Sequence, residues 1–184
     1  SLLAFLGSPA AGQGVWEAAA RLDASRAGLG VVVHDGRIYA AGGSGLTDPR
    51  DEFESYDAAL DRWFPETPLP RGLERFGMTA INDRIYAAGG YARGEDGVAP
   101  SAAVWSWSFA GNIWQSEAAM PAAKADLALV AVGSSLYAFG GLTDDASVFV
   151  FDPEARSWET IEAPADVTRR GMSAAELDGA VYLA

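Results

Sequence analysis

The chain has 184 residues, 49% hydrophobic and 21% charged, a balance that describes a globular domain with a core and excludes a disordered segment. Its 13 basic and 25 acidic residues leave a net charge of −12, which argues against nucleic acid and anionic membrane surfaces as partners. There is no cysteine and a single histidine, His34, so thiol catalysis, disulfides and multi-histidine metal sites lack their residues here, and a Ser-His-Asp triad would have to use His34.

In chain order, residues 1–14 read first as the tail of a signal peptide or a linker. Leu2 to Leu6 are apolar, and Ser8-Pro9-Ala10-Ala11-Gly12 is rich in small residues, as a cleavage region is. That reading places the protein outside the cytoplasm, periplasmic or secreted. The competing reading leaves it cytoplasmic and takes the segment as a degenerate strand, because SLLAFLG at 1–7 matches SLYAFGG at 135–141 in five of seven positions. Val15-Trp16-Glu17 follows as an orphan strand, a closing outer strand at residues 15–20. No apolar run reaches the roughly 18 residues that cross a bilayer, so no membrane insertion is expected.

The heptapeptide RIYAAGG then stands at 37–43 and again at 84–90. Its pattern recurs from Leu136 to Gly141 and starts once more at Val181-Tyr182. The marker tyrosines Tyr39, Tyr86, Tyr137 and Tyr182 are 47, 51 and 45 residues apart, and Trp16, Trp63, Trp114 and Trp158 are 47, 51 and 44 apart. Seven residues before three of those tryptophans stand Tyr56-Asp57, Trp107-Ser108 and Phe151-Asp152. In the same phase, Asp35-Gly36, Asn82-Asp83, Gly133-Ser134 and Asp178-Gly179 separate apolar runs. Such pairs tolerate the positive φ of two-residue hairpin turns. Each unit therefore parses into four short strands, in the first unit about Leu29–His34, Arg37–Gly42, Glu52–Tyr56 and Arg62–Thr67. Gly42-Gly43, Gly89-Gly90 and Gly140-Gly141 mark where the second strand ends and the backbone turns with no side chain in the way. Ser108 replaces an aspartate of the pattern, which predicts a locally different turn in the second unit. A unit of this size cannot bury both faces of its sheet, so successive units must stack.

Di-glycine after an apolar-Tyr strand, then Tyr-Asp, then Trp seven residues later, resembles the kelch repeat, and the resemblance covers residues 15–184. It implies an all-β fold, a β-propeller of four-stranded antiparallel blades whose first strands line a central channel. Three blades are then complete, at 26–70, 71–121 and 122–164, and 165–184 begins the next, of an expected six. The chain reads on this basis as the N-terminal part of a protein of about 300 residues, with the remaining blades of the same chain as partners.

Function on a propeller is carried by rim loops and the channel mouth. Ser44–Asp51, Tyr91–Ser101 and Leu142–Ser147 follow the di-glycines and vary in length and charge. Before each first strand stand Arg26, Arg71 with Arg75, Lys124, and Arg169 with Arg170. By analogy with kelch propellers both families open on one face. Arg26, Arg75, Lys124 and Arg170 are then candidate ligand contacts, a cationic collar suited to the carboxylates of an acidic sugar or peptide. The marker tyrosines and tryptophans read as blade core, and His34 as a turn residue. Asp48, Asp51, Asp144 and Asp145 read as solvated acids, because no spacing matches a calcium loop. No constellation reads as catalytic, and neither metal nor cofactor is expected.

The resemblance implies first a non-catalytic binding module for a protein or glycan ligand, with no nucleic acid partner, and the cationic collar implies that this ligand is anionic. The alternative is an exported sugar-active enzyme similar to the kelch-type sialic-acid mutarotases, with Glu74 the acid nearest the collar. A third reading is an intracellular adaptor carrying an upstream domain. The copper-radical oxidases among kelch-like propellers need a Tyr–Cys crosslink, for which this sequence has no cysteine.

Overall fold

The computed structural model describes residues 3–6, 15–142, 147–162 and 169–184. Numbered in chain order, the strands form three four-stranded antiparallel sheets. Blade 1 is β3 (Gly30–His34), β4 (Arg37–Ala41), β5 (Phe53–Asp57) and β6 (Arg62–Pro65). Blade 2 is β7 (Gly77–Ile81), β8 (Arg84–Ala88), β11 (Val104–Ser108) and β12 (Ile113–Ser116). Blade 3 is β13 (Ala125–Val132), β14 (Ser135–Leu142), β15 (Val148–Asp152) and β16 (Ser157–Ile161). β17 (Ala174–Leu177) and β18 (Ala180–Leu183) pair as the start of another unit. The register repeats as the markers require: Tyr56 lies opposite Trp63, Trp107 opposite Trp114, and Phe151 opposite Trp158.

Local chemistry sets the turns. Asp35 and Gly36 hold φ of 46° and 73°, and Asp178 and Gly179 hold 53° and 79°, the doubly positive geometry of a tight hairpin. In the turn between third and fourth strands, Asp57 accepts from the backbone N–H of Ala59 and Leu60 at 3.0 and 3.2 Å, and Asp152 from Glu154 and Ala155 at 2.8 and 3.0 Å. Ser108 makes a single such bond, to Gly111 N–H at 3.3 Å. The turn nevertheless keeps its shape, because Asp61, Asn112 and Arg156, each two residues before the tryptophan, share a left-handed φ of 46°, 46° and 53°. The expected difference at Ser108 thus reduces to one hydrogen bond, since a hydroxyl can stand in for a carboxylate as a turn acceptor.

The hydrophobic cores lie between blades. One cluster gathers Tyr39 and Phe53 of blade 1 with Leu73, Phe76, Ile85, Trp107 and Trp114; a second gathers Ile81, Tyr86 and Val104 of blade 2 with Leu127, Leu136, Phe149 and Phe151. The first strands line up side by side, β3 against β7, β7 against β13, and β13 against β17, so they form the inner edge of the stack. The twin heptapeptides are second strands, one layer further out.

Two further contacts join each blade to the one before. Each marker indole donates to a carbonyl four residues past the preceding marker: Trp63 to Ala20 at 3.1 Å, Trp114 to Thr67 at 2.9 Å and Trp158 to Ala118 at 2.8 Å. Each di-glycine receives the next blade's backbone. Gly43, Gly90 and Gly141 donate their N–H to the carbonyls of Leu73, Lys124 and Arg169 at 2.7, 2.8 and 3.0 Å. A Cβ on Gly89 would stand 2.4 Å from the Lys124 carbonyl oxygen, at a φ of +68°. The glycine pair is therefore required by close approach of the following blade as much as by the turn itself.

At the N-terminal end, β1 (Leu3–Leu6) pairs antiparallel with β2 (Val15–Ala18), with Phe5 opposite Trp16. Val15-Trp16-Glu17, expected as an orphan strand, thus has a partner beside it in the place that third strands hold beside fourth strands. The Trp63–Ala20 bond puts β2 where a preceding blade's fourth strand would stand. Residues 7–14 and the expected blade boundary at 164–165 lie outside the described residues.

Candidate functional site

Both loop families share one rim. Ala27 and Ser44 exchange backbone hydrogen bonds at 3.0 and 2.8 Å, and Glu74 and Tyr91 do so at 3.1 and 2.8 Å, tying each segment before a first strand to the segment after the same blade's di-glycine. Within that rim, blade 1 carries an irregular loop with Leu46 fully exposed. Blade 2 carries an inserted ribbon in the same place, β9 (Tyr91–Gly94) and β10 (Gly97–Pro100), joined by Glu95-Asp96. Arg93 of the ribbon pairs with Asp48 of the blade 1 loop through both Nε and Nη2, a clamp across the blade boundary. In blade 3 the corresponding residues 143–146, with Asp144 and Asp145, lie outside the described residues.

The four candidate cations divide into two pairs. Arg26 is wholly buried at the side chain: Nη2 donates to Glu54 at 2.5 Å, while Nε and Nη1 are buried without a partner among the described residues. Lys124 is 1% exposed; its Nζ donates to the carbonyls of Gly140 and Ser147 at 3.2 and 2.8 Å and stands 4.5 Å above the Phe149 ring. Arg75 and Arg170 are exposed. Arg75 Nη1 approaches Asp126 Oδ1 at 3.4 Å. Two of the four are therefore buried and two exposed, so they do not all face solvent.

Equivalent positions explain the split. Arg26, Leu73 and Lys124 each stand 13 residues before the marker tyrosine, and Glu54, Trp105 and Phe149 stand two before the third-strand aromatic. Blade 1 fills this paired position with an ion pair. Blade 2 uses an apolar pair, with Leu73 fully buried and Trp105 packed on the same cluster. Blade 3 sets an ammonium on a ring. Glu54 went unnoticed in the sequence, although its phase opposite Arg26 carries the signal.

At the channel mouth the first strands begin from left-handed residues in phase: Gly28, Arg75, Asp126 and Gly171, with φ of 65°, 52°, 56° and 65°. Their backbones form a relay, Arg75 N–H to Gly28 at 2.7 Å, Asp126 to Arg75 at 2.9 Å and Gly171 to Asp126 at 3.0 Å. Two side-chain-bearing residues thus occupy a conformation that costs about 1–2 kcal/mol over glycine, and they display an Arg–Asp pair at the mouth. Glu74, beside them, is partly buried, with its backbone tied to Tyr91.

His34 lies at the hairpin on the opposite rim, stacked on Phe109 at 4.0 Å. Burial first, then the Glu66 carboxylate, pushes the Tyr39 hydroxyl up; burial, then Glu117, does the same to Tyr86. Both stay protonated core residues. Among the described residues no three His, Asp or Glu side chains gather to hold a metal. A cavity of about 450 Å³ flanks blade 1, lined by Leu22, Arg26, Val31, Ile38 and Trp63 among others. Val31 corresponds in phase to Met78, which packs against the blade 1–blade 2 cluster. The cavity thus occupies the place where, between blades 1 and 2, a sheet face packs.

The kelch motif matches residues 25–70, 74–121 and 123–163. The chain belongs to the kelch-repeat family. It is 31% identical over 120 residues to an F-box/kelch-repeat protein of Arabidopsis thaliana, covering 62% of this chain and 44% of that protein. It is 29% identical over 148 residues to Kelch-like protein 23 of Homo sapiens, covering 80% of this chain and 26% of that one. The solved structure of YjhT superposes with a TM-score of 0.79 at 18% identity, over 95% of this chain and 64% of that chain, a likeness of fold. This kelch chain is an all-β propeller assembly, and it spans less than two thirds of each of these relatives.

Proposed function

We propose that this kelch chain is a non-catalytic binding module that takes a protein partner on the rim carrying the post-di-glycine segments. One observation carries the reading: blades that match in register, turn geometry and joints diverge at this rim, with a loop in blade 1 and a ribbon in blade 2. Stacking makes no demand on that divergence, so it is available for recognition. The exposed Leu46 and the channel-mouth pair Arg75–Asp126 lie on the same rim. The sugar-active alternative leaned on a collar of four cations, and two of them are engaged inside their blades.

A photo-crosslinking residue at Leu46 on this rim, compared with one at Leu60 on the opposite rim, tests the reading in cells of the source organism. Leu46 is expected to give a discrete protein adduct and Leu60 none. Equal adducts from both positions, or none from Leu46, would overturn it.

A further inference from the structure

The reading that this rim takes a protein is the basis for a narrower one, drawn from the ribbon. Its two edges differ. Along β9, Tyr91 exchanges backbone bonds with Glu74, and Arg93 carries a charge held by Asp48. Along β10, Gly97-Val98-Ala99-Pro100 has no charged side chain, and among the described residues this strand pairs only with β9. Val98 is 39% exposed, and Ala99 and Pro100 are exposed too.

Free sheet edges are ordinarily guarded by lysine, by a bulge, by inward charge or by a covering segment. On β10 the guards are Pro100, at the base of the ribbon, and the strand's shortness. Because Tyr91 gives its backbone groups to Glu74, Gly97 and Ala99 face β9 while Val98 and Pro100 face outward; Val98 offers an N–H and a C=O and Pro100 a C=O alone, a short template for an added strand. At the tip, the side chains of Glu95 and Asp96 are exposed and form no ion pair among the described residues. Arg93, the ribbon's basic residue, is already clamped to blade 1, which also fixes where the ribbon points.

We propose that an extended basic segment of a partner protein adds to the ribbon as a third strand along Gly97–Ala99, with its lysines or arginines against Glu95 and Asp96. Backbone pairing would hold the segment, and the acidic tip would select its charge.

The test is a selection of randomised displayed peptides on the intact protein, followed by synthesis of the enriched sequences. Expected are peptides mixing basic with β-branched residues, amide shifts centred on Gly97–Ala99, and binding that weakens as salt rises. Glu95→Lys combined with Asp96→Lys should weaken that binding at least about tenfold by removing both charge contacts. Replacing residues 93–99 by a Gly-Ser linker should abolish it while leaving the melting temperature unchanged, and Leu60→Lys on the opposite rim should change nothing. Acidic peptides, or binding that survives both ribbon variants, would overturn the proposal. Peptides that map to Leu46 or Arg75 would overturn the ribbon site and leave the rim reading standing; peptides that map nowhere on this rim would remove both. A dimer dissolved by the linker replacement would identify a second copy as the occupant and equally overturn it.

Discussion

Blade 2 meets blade 1 through the same contacts by which blade 3 meets blade 2. Trp114 and Trp158 donate to carbonyls four residues past the previous indole, and Gly43 and Gly90 donate to Leu73 and Lys124. A few ångströms away, the rim segments that follow those glycines share neither length nor secondary structure. The joints repeat because each must satisfy the same buried donors and fill the same narrow gap. The rim ends face solvent, where backbone groups are satisfied by water and length is free to drift. Stability should therefore respond steeply to changes at the joints and weakly to changes on the rim.

The largest effect is expected inside blade 1. Glu54→Leu strands the buried Arg26 guanidinium without its counter-charge and should cost about 3–5 kcal/mol, read as a drop in urea midpoint. Adding Arg26→Leu should restore most of that loss, since blade 2 holds an apolar pair in the same place. If the double variant is no more stable than the single one, the equivalence of those positions is wrong.

Next comes Gly89→Ala, which forces a left-handed alanine with its Cβ 2.4 Å from the Lys124 carbonyl oxygen. A loss of about 3 kcal/mol or more is expected from strain plus clash. Gly45→Ala provides the contrast on the rim: it has no left-handed φ and nothing lies within 4 Å, so the global melting curve should barely move. Comparable losses from both would erase the distinction between joint and rim.

Trp114→Phe keeps most of the ring but leaves the Thr67 carbonyl without its indole donor, at an expected cost of about 1–3 kcal/mol in chemical denaturation.

The smallest effect is a pH dependence. The Asp61 carboxyl is held below its ordinary value first by the Ala20 N–H and then by the Tyr56 hydroxyl, and its bond to Ala20 joins blade 1 to the segment before it. A lowered carboxyl favours the folded state above the unfolded-state pKa. That contribution is fully present at neutral pH and fades as pH falls below about 4 through the folded-state value. Asp61→Asn, the residue type blade 2 uses as Asn112, should remove this component from the stability–pH curve between neutrality and strong acid. An unchanged acid limb would mean the bond contributes nothing.

Much of this architecture was legible in the sequence because its causes are local. Asp-Gly pairs announce hairpins, Asp57 and Asp152 open the turn between third and fourth strands, and the period of the indoles sets the blade. The candidate site was less legible. Arg26, Arg75, Lys124 and Arg170 look alike as letters at the start of successive first strands, yet two are buried and two exposed. What separates them is phase: Arg26 and Lys124 stand 13 residues before the marker tyrosine, where the third strand meets them with Glu54 and Phe149, whereas Arg75 and Arg170 stand 11 and 12 residues before it. The ribbon hid for another reason: YARGEDGVAP is too short and too rich in glycine to alternate apolar and polar residues, and alternation is what reveals a strand.

By itself the sequence determined the family, the strand order and the positions of the turns, because hairpin geometry and repeat period depend on neighbours a few residues apart. Only the tertiary structure decided which charges face solvent, why the glycines come in pairs, and which strand edge has no partner among the described residues. Those depend on how closely one sheet's backbone approaches the next, a distance fixed when blades stack and written in no single blade.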